Sequence, residues 1–225
     1  MSTSSIPLNK TIDHTLLKPE ATPAQIIQLC NEAKKYDFYS VCVNSSMVKI
    51  AAKELTGTNV LVCSVVGFPL GAMSTKAKAF ETRCAVEDGA GEIDMVINLG
   101  MAKSADWSDL QKDIEEVVKA AAPKRVKVIL ETCLLTDQEI KEASQCALKA
   151  KAHFVKTSTG FSTAGATPQA VELMKAVVGN QMEIKASGGI RDLATANLYL
   201  EMGVTRLGTS SGVSLMEGKS STTSY

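Results

Sequence analysis

The feature that most constrains the fold is a repeated alternation of short apolar segments with longer segments of helical period. Eight short segments are rich in β-branched and other apolar residues: 10–15, 39–43, 59–66, 92–98, 125–131, 152–156, 182–186 and 205–208. Most of them are apolar on both faces, as strands of a buried parallel sheet are. The alternation therefore predicts an α/β fold in which parallel strands are joined by helices.

The segments between the strands carry signals for helix starts. In residues 22–37, Thr22 is suited to cap a helix and Pro23 follows at the first helical position. Residues 74–89, 106–123 and 136–150 have the same amphipathic period. We expect a helix in each of these segments.

Eight strand–helix units in 225 residues predict a single-domain TIM (β/α)8 barrel near the lower size limit of that fold. A doubly wound open sheet is the alternative, although it usually has fewer strands at this length. No linker interrupts the series. We expect a barrel domain over residues 1–217 and a flexible tail over residues 218–225.

Composition excludes several classes of protein. The chain has 24 basic and 24 acidic residues, so it lacks the positive field that would attract nucleic acid or an anionic membrane. The longest apolar stretch, residues 59–68, is well short of the roughly 18 residues that cross a bilayer. The six cysteines are scattered and form no C-x-x-C pair, so we expect them to be reduced thiols. We expect a cytoplasmic protein.

Charged residues on the strands are the candidate site residues, because the active site of a TIM barrel lies at the carboxyl ends of its strands. Strand alternation assigns three groups to shared faces: Asp13 with Thr15, Glu92 with Asp94 and Val96, and Lys127 with Ile129 and Glu131. A charge that points into a barrel must be paired or must lie at the wet upper rim.

Lys156 and Lys185 end two neighbouring strands at the same depth. A single lysine at a strand end is more often a surface charge or a phosphate ligand than a nucleophile. Partial burial and a second ammonium group nearby both disfavour the protonated form of a lysine. Together they would lower its pKa from about 10.4 toward neutrality. The free amine is the nucleophile of Schiff-base chemistry, and Asp94 could either hold the second lysine charged or move protons through a water. A structural salt bridge from Asp94 to Lys127 or Lys185 is the alternative.

Glycine-rich loops follow the last strands. Gly188, Gly189 and Gly208 allow backbone N–H groups to approach an anion closely, and the helix that follows each loop adds positive potential. Each loop alone is an ordinary turn. Two of them in adjacent units, where TIM barrels usually bind phosphate, predict a phosphate site.

The sequence lacks the residue patterns that metal catalysis and serine-nucleophile catalysis need. The chain has only two histidines, His14 and His153, so the sequence predicts no metal site and no cofactor. His14 alternates away from Asp13 and should contact the helices. No G-x-S-x-G motif is present. Residues 67–72 form either one wall of the pocket or a plain turn.

Several motifs in this order carry a resemblance: IDHTLLKP, VVGFPLGA, EIDMVINLG, FVKTSTGFSTAGAT, IKASGGIR and GKSSTTSY. From Thr11 to Tyr225 the chain resembles the deoxyribose-phosphate aldolase family. The resemblance implies a class I aldolase of deoxyribonucleoside catabolism that reversibly cleaves 2-deoxy-D-ribose 5-phosphate into acetaldehyde and D-glyceraldehyde 3-phosphate. It implies that Lys156 forms the Schiff base, that Lys185 depresses its pKa and shares in proton transfer, and that Asp94 exchanges protons through a water.

The resemblance also implies further site residues and an assembly. Phosphate is expected at Gly160, Gly188, Gly189, Gly208, Ser210 and Ser211. Other substrate contacts are expected from Asp13, Thr15, Lys127 and Thr159. The family uses a mobile tail ending in tyrosine, here Tyr225, to exchange the enamine proton, whereas composition alone indicates a frayed terminus. A homodimer is the family expectation.

Two rival functions share part of this pattern. A transaldolase or another Schiff-base aldolase would keep the phosphate loops and one lysine. It would not need two lysines on adjacent strands beside Asp94. A phospholigand sensor without catalysis would keep the loops and form no covalent adduct.

Overall fold

The computed structural model describes residues 6–221, and within them eight parallel strands form one closed barrel. The strands follow each other around the barrel in chain order, and β1 pairs with β8 through Ile12 and Leu207. They are β1 Ile12–Leu16, β2 Ser40–Val43, β3 Leu61–Val66, β4 Glu92–Val96, β5 Arg125–Ile129, β6 Phe154–Lys156, β7 Glu183–Ser187 and β8 Arg206–Thr209. The predicted barrel is confirmed, and the open-sheet alternative is wrong because the edges are paired.

Helices cover the outside of the barrel. They are α1 Pro23–Tyr36, α2 Val48–Glu54, α3 Thr75–Glu87, α4 Leu99–Lys103, α5 Trp107–Ala121, α6 Asp137–Lys149, α7 Pro168–Val178, α8 Leu193–Glu201 and α9 Gly212–Met216. Short 3-10 helices occupy Leu8–Thr11, Ser45–Met47 and Thr132–Leu134. No helix in this described range has both the length and the apolar character that a membrane span requires.

The predicted helix starts follow from local capping. Thr22 accepts a hydrogen bond from the backbone N–H of Gln25, whose side chain in turn accepts from the backbone of Thr22, and Pro23 opens α1. Thr136 and Glu139 make the same reciprocal cap on α6. These caps satisfy N–H groups that a helix start leaves without a partner.

Alternation along the strands separates an apolar outer layer from a charged interior. On β4, Ile93 and Met95 belong to the main hydrophobic core between strands and helices, whereas Glu92 and Asp94 point the other way and are fully buried. His14 points outward as predicted and lies 2.7 Å from the Glu32 carboxylate on α1. The inside of the barrel is therefore occupied by polar groups that must satisfy one another.

Candidate active site

Seven charged side chains from six strands meet inside the barrel, and none is more than 3% exposed. We call this set the charged cluster. Its members are Asp13, Glu92, Asp94, Lys127, Lys156, Lys185 and Arg206. Because β1 and β4 to β8 each contribute at least one member, closure of the barrel is what brings the cluster together.

Asp94 is the centre of the charged cluster. Its Oδ1 accepts from Lys127 Nζ at 2.8 Å, and its Oδ2 accepts from Lys156 Nζ at 2.8 Å and Lys185 Nζ at 2.7 Å. Burial by itself raises the pKa of Asp94, but the three ammonium groups lower it by more, so the pKa lies well below its ordinary value. Asp94 is therefore a carboxylate that joins three lysines, two of which share one oxygen.

Lys156 and Lys185 are partners in the register of β6 and β7, as their positions predict. Lys185 also donates to Asp13 Oδ2 at 2.5 Å. Burial lowers the pKa of Lys185, but the carboxylates of Asp13 and Asp94 raise it by more, so its pKa lies above the ordinary value. The Asp94 carboxylate lies between the two ammonium groups and accepts a hydrogen bond from each of them.

The deeper part of the charged cluster consists of ion pairs. Lys127 lies 2.7 Å from Glu92 and 3.7 Å from Asp13, and Arg206 lies 2.7 Å from Glu92 and 2.9 Å from Asp13. Asp13 and Lys127, which the sequence suggests as substrate contacts, are fully buried in these pairs. Thr15, also predicted, donates its hydroxyl to the backbone oxygen of Asp13 at 2.8 Å.

Sequence reasoning did not assign a role to Arg206 or Glu92. Both are the first residue of their strand and have the same inward parity as the predicted charges. Alternation along β8, counted back from Gly208, would have brought Arg206 to attention.

A small apolar cluster lies beside the charged cluster. Leu17, Cys42, Cys63 and Val65 form a separate buried cluster against which Phe68 packs. The Cys63 thiol donates to Asp94 Oδ1 at 3.1 Å, so this apolar cluster adjoins the charged cluster. Phe68, from the loop at residues 67–72, meets Phe161 edge-on with ring centroids 5.2 Å apart. This loop therefore contacts the loop after β6, and its role as one wall of the pocket stays a prediction.

Two groups of potential metal ligands lie in the same region. The atoms of Cys42, Cys63 and Asp94 lie within 4.8 Å of one another, as do those of Asp13, Cys63 and Glu92. Each carboxylate already accepts from lysine or arginine, so a cation there would have to displace an ammonium or guanidinium group.

The loops after β6 and β7 enclose a cavity of about 240 Å³. It is lined by Gly160, Ser162, Thr163, Ala164, Gly165, Gly188, Gly189 and Arg191. Ala166 N–H donates to the backbone oxygens of Ser187 and Gly188, which joins the two loops. Glycine is required at Gly188, because φ is +83° and a Cβ would lie 2.8 Å from Gly165 Cα. The cavity has backbone N–H groups and one guanidinium group, which suit an anion.

Only some of the residues predicted to bind phosphate line this cavity. Gly160, Gly188 and Gly189 line it, whereas Gly208, Ser210 and Ser211 do not. A Cβ on Gly208 would lie 2.2 Å from Ser187 Oγ and 3.0 Å from Lys185 Cε, so Gly208 makes room for these side chains. Arg191 was not predicted, although a basic residue just after Gly-Gly-Ile was a usable signal.

Glu131 holds the loop that follows β6. The predicted strand position of Glu131 is wrong, because β5 ends at Ile129 and Glu131 has a φ of 57°. Its buried carboxylate accepts from the N–H of Thr159 at 3.2 Å and from the Thr159 hydroxyl. Burial raises the pKa of Glu131. Thr159 is thus a buried residue of this loop and does not line the cavity.

The end of the described chain returns to the same loops. Ser221 N–H donates to the backbone oxygen of Arg191 at 3.0 Å. The predicted catalytic residue Tyr225 lies outside the described residues. It is the fourth residue after Ser221 in the sequence.

Comparisons with known proteins place the chain among aldolases. The model of the DeoC/LacD family of aldolases matches residues 8–213. The chain is 57% identical over 218 residues to the deoxyribose-phosphate aldolase of Streptococcus gordonii, covering 97% of this chain and 99% of that protein. It is 55% identical over 217 residues to that of a Geobacillus species, covering 96% and 97%. A solved deoxyribose phosphate aldolase from Aeropyrum pernix, described as a unique tetramer, has a TM-score of 0.88 at 34% identity and covers 93% and 89%.

Proposed function

The chain belongs to the DeoC/LacD family of aldolases, and we propose that the site inside its barrel forms a Schiff base on Lys156. Its activity is that of a deoxyribose-phosphate aldolase, which reversibly cleaves 2-deoxy-D-ribose 5-phosphate to acetaldehyde and D-glyceraldehyde 3-phosphate. The observation that supports the assignment is the shared oxygen of Asp94, with Lys156 Nζ at 2.8 Å and Lys185 Nζ at 2.7 Å.

Lys156 is the nucleophile because it is the least restrained amine of the charged cluster. It ends β6 and has a single carboxylate partner, Asp94, whereas Lys127 and Lys185 each have at least two. The free amine attacks C1 of the open-chain sugar and loses water to give an iminium ion. The positive nitrogen of the iminium ion is the electron sink for the cleavage that follows.

Cleavage breaks the bond between C2 and C3. A base removes the proton from the C3 hydroxyl, the bonding electrons flow to the iminium nitrogen, and D-glyceraldehyde 3-phosphate leaves. The enamine that remains takes a proton at C2 and is hydrolysed to acetaldehyde. Asp94, acting through a water, is the group that accepts and returns these protons. Lys185 stays charged between Asp13 and Asp94 and stabilises negative charge as it develops.

The cavity between the loops after β6 and β7 binds the phosphate. Gly160 follows Lys156 by four residues and Gly188 follows Lys185 by three, so the cavity adjoins the reacting amine. Arg191 supplies charge, and the loop backbones supply N–H donors. The contacts of Gly208, Ser210 and Ser211 with phosphate stay predictions.

Residues 218–225 act as the catalytic tail. Helix α9 ends at Met216, and Ser221 lies against Arg191 at the cavity. Four further residues lead to Tyr225, whose hydroxyl exchanges the enamine proton. Residues 1–217 then constitute the barrel domain.

The cellular setting follows from the substrates. We place the enzyme in the cytoplasm, where deoxyribonucleosides are broken down and where its six free cysteines stay reduced. It acts on small phosphosugars and aldehydes. We propose a homodimer as its assembly.

Reduction with borohydride in the presence of acetaldehyde tests the function. The imine is trapped as an N-ethyl amine, which peptide mapping by mass spectrometry locates. We expect the adduct on Lys156 and none in a Lys156→Arg variant. An adduct on another lysine contradicts the role of Lys156, and the absence of any adduct would favour a sensor without catalysis.

A further inference from the structure

Glu131 combines burial with a backbone conformation that residues with a Cβ rarely adopt. It lies two residues beyond the end of β5, is 2% exposed and has a φ of 57° and a ψ of 60°. The other non-glycine residues of the described range with a positive φ are Asp37, Ala105 and Lys151, and all of them are exposed. A buried residue keeps a left-handed backbone only where its surroundings hold it there, and such positions cluster at functional sites.

The Glu131 carboxylate holds the loop that follows β6. Its Oε1 accepts from the backbone N–H of Thr159 at 3.2 Å, and its Oε2 accepts from the Thr159 hydroxyl. The oxygen of the same hydroxyl accepts from the backbone N–H of Phe161 at 3.0 Å. Gly160 lies between these two residues and lines the cavity proposed to bind phosphate. One carboxylate therefore fixes the backbone on both sides of Gly160.

The backbone around Glu131 directs this carboxylate to the loop. Leu130 N–H donates to the backbone oxygen of Lys156 at 2.9 Å, and Thr132 N–H donates to that of Thr157 at 3.0 Å. The residues on either side of Glu131 thus continue the pairing with the chain of β6, and the left-handed turn between them brings the Glu131 side chain to the loop. The conformation of Glu131 and the position of the loop are therefore coupled.

We propose that Glu131 is a positioning residue that fixes the phosphate cavity and thereby determines the preference of the enzyme for a phosphorylated over an unphosphorylated sugar. This inference rests on the proposed function, because it assumes that the cavity binds the substrate phosphate. Glu131 does not line the cavity, and both of its carboxylate oxygens accept from Thr159. It therefore acts through the loop and not by direct contact with phosphate.

A different role for Glu131 would act on the nucleophile. Burial raises the pKa of Glu131, and the hydrogen bonds from Thr159 and the charge of Lys156 oppose this rise, so Glu131 and Lys156 interact. An effect on Lys156 would change the reactions of all substrates alike, whereas an effect on the cavity would change only those of phosphorylated substrates. The two roles are separated by the ratio of kcat/KM for 2-deoxy-D-ribose 5-phosphate to kcat/KM for 2-deoxy-D-ribose, which we call the selectivity ratio.

Glu131→Gly tests the proposal, because it removes the carboxylate and introduces the residue that best tolerates a left-handed backbone. We expect the selectivity ratio to fall by about tenfold, as for the loss of one or two buried hydrogen bonds, mainly through a higher KM for the phosphosugar. Glu131→Gln keeps a side chain that contacts both the N–H and the hydroxyl of Thr159. Its selectivity ratio should stay within about threefold of the wild-type value.

A matched variant separates this role from general destabilisation. Asp113→Asn removes a buried carboxylate that pairs with Lys78 outside the site. It should lower stability and leave the selectivity ratio unchanged. Circular dichroism and urea unfolding verify that each variant is folded.

Variants of Thr159 test the contact from its other side. Thr159→Val removes the hydroxyl that Glu131 accepts from, and it should lower the selectivity ratio by about threefold. In a Glu131→Gly background the same substitution should add little, because the contact is already lost. If Glu131→Gly does not fold, the comparison of Thr159→Val with Thr159→Ser, which keeps the hydroxyl, decides the question.

An unchanged selectivity ratio in folded Glu131→Gly would overturn the proposal, and so would equal losses of kcat/KM on the two sugars. Borohydride trapping of the wild type with acetaldehyde, which carries no phosphate, keeps this outcome distinct from failure of the proposed function. An adduct on Lys156 together with an unchanged ratio rejects only the role of Glu131. An adduct on a different lysine rejects the proposed nucleophile, and a wild-type ratio near one rejects the phosphate cavity itself.

Discussion

At the scale of single residues, Asp94 has two duties that are usually separate. It neutralises buried lysines, which stabilises the fold, and it lies against Lys156, the amine that we propose as the nucleophile. Removing one partner of a buried ion pair leaves an uncompensated charge, which costs about 3–5 kcal/mol. A substitution of Asp94 therefore changes stability and activity together, and a control is needed to separate them.

We predict that Asp94→Asn lowers the free energy of unfolding by about 3–5 kcal/mol and lowers kcat by about 10²–10⁴-fold. The control is Asp113→Asn. Asp113 is equally buried and pairs with Lys78 at 2.6 Å, outside the charged cluster. Urea unfolding and steady-state kinetics of both variants are the measurements. The control should lose comparable stability and keep its kcat, and an equal loss of kcat in both would contradict the catalytic role of Asp94.

The sequence is enough to predict which residues meet in the site. It is less informative about how their charges are paired. Strand position is enough to bring Lys156, Lys185 and Asp94 together. It does not predict that Asp94 bridges the two lysines, because that depends on side-chain contacts within 3 Å. Alternation along β8 could have indicated that Arg206 points inward, but not that it pairs with carboxylates from β1 and β4.

At the scale of elements, the loops after β6 and β7 act as one unit. The hydroxyl of Thr157 accepts from Ser187 N–H at 3.1 Å, and Ala166 N–H donates to Ser187 and Gly188. Two glycines of the second loop have similar left-handed backbones, with φ of +83° at Gly188 and +85° at Gly189. They differ in their surroundings, and this difference permits a matched test of the phosphate cavity.

We predict that Gly188→Ala raises KM for 2-deoxy-D-ribose 5-phosphate by about tenfold, or about 1.4 kcal/mol. The added Cβ would meet Gly165 Cα at 2.8 Å and push the two loops apart. Gly189→Ala carries the same backbone strain but has no atom within 4 Å of its Cβ. Its KM should rise by no more than about threefold. Equal effects of the two substitutions in steady-state assays would show that strain alone, and not the cavity, determines KM.

The strands and the long helices are predictable from periodicity and caps, as α1 with Thr22 and Pro23 illustrates. The short helices α2 and α4 were not predicted. At 7 and 5 residues, they are too short for a helical period to emerge from the sequence. The end of β5 was also missed, because the left-handed turn at Glu131 is imposed by contacts with the next loop.

At the scale of the whole molecule, closure of the barrel creates the site. Asp13 and Lys185 are 172 residues apart in sequence, and Asp13 and Arg206 are 193 apart, yet both pairs are in contact. In an open sheet, β1 and β8 would not pair, and Lys185 and Arg206 would lose one of their two carboxylates. The fold and the protonation state of the site are therefore linked.

The proposed tail, residues 218–225, also acts at this scale, because it would bring Tyr225 back to the barrel. We predict that deleting residues 222–225 slows exchange of the acetaldehyde methyl protons with D₂O by about tenfold or more, through loss of the Tyr225 hydroxyl. NMR follows the exchange. KM for the phosphosugar should change little, and Tyr225→Phe, which keeps the ring, should show the same slow exchange. A truncated enzyme with its full exchange rate would contradict the role of the tail.

The position of the covalent adduct can be seen in a crystal structure of the enzyme reduced with borohydride in the presence of 2-deoxy-D-ribose 5-phosphate. We expect continuous density from Lys156 Nζ to C1 of the sugar. We also expect the phosphate in the cavity formed by Gly160, Gly188 and Arg191. Density joined to any other lysine, or a phosphate bound outside that cavity, would contradict these assignments.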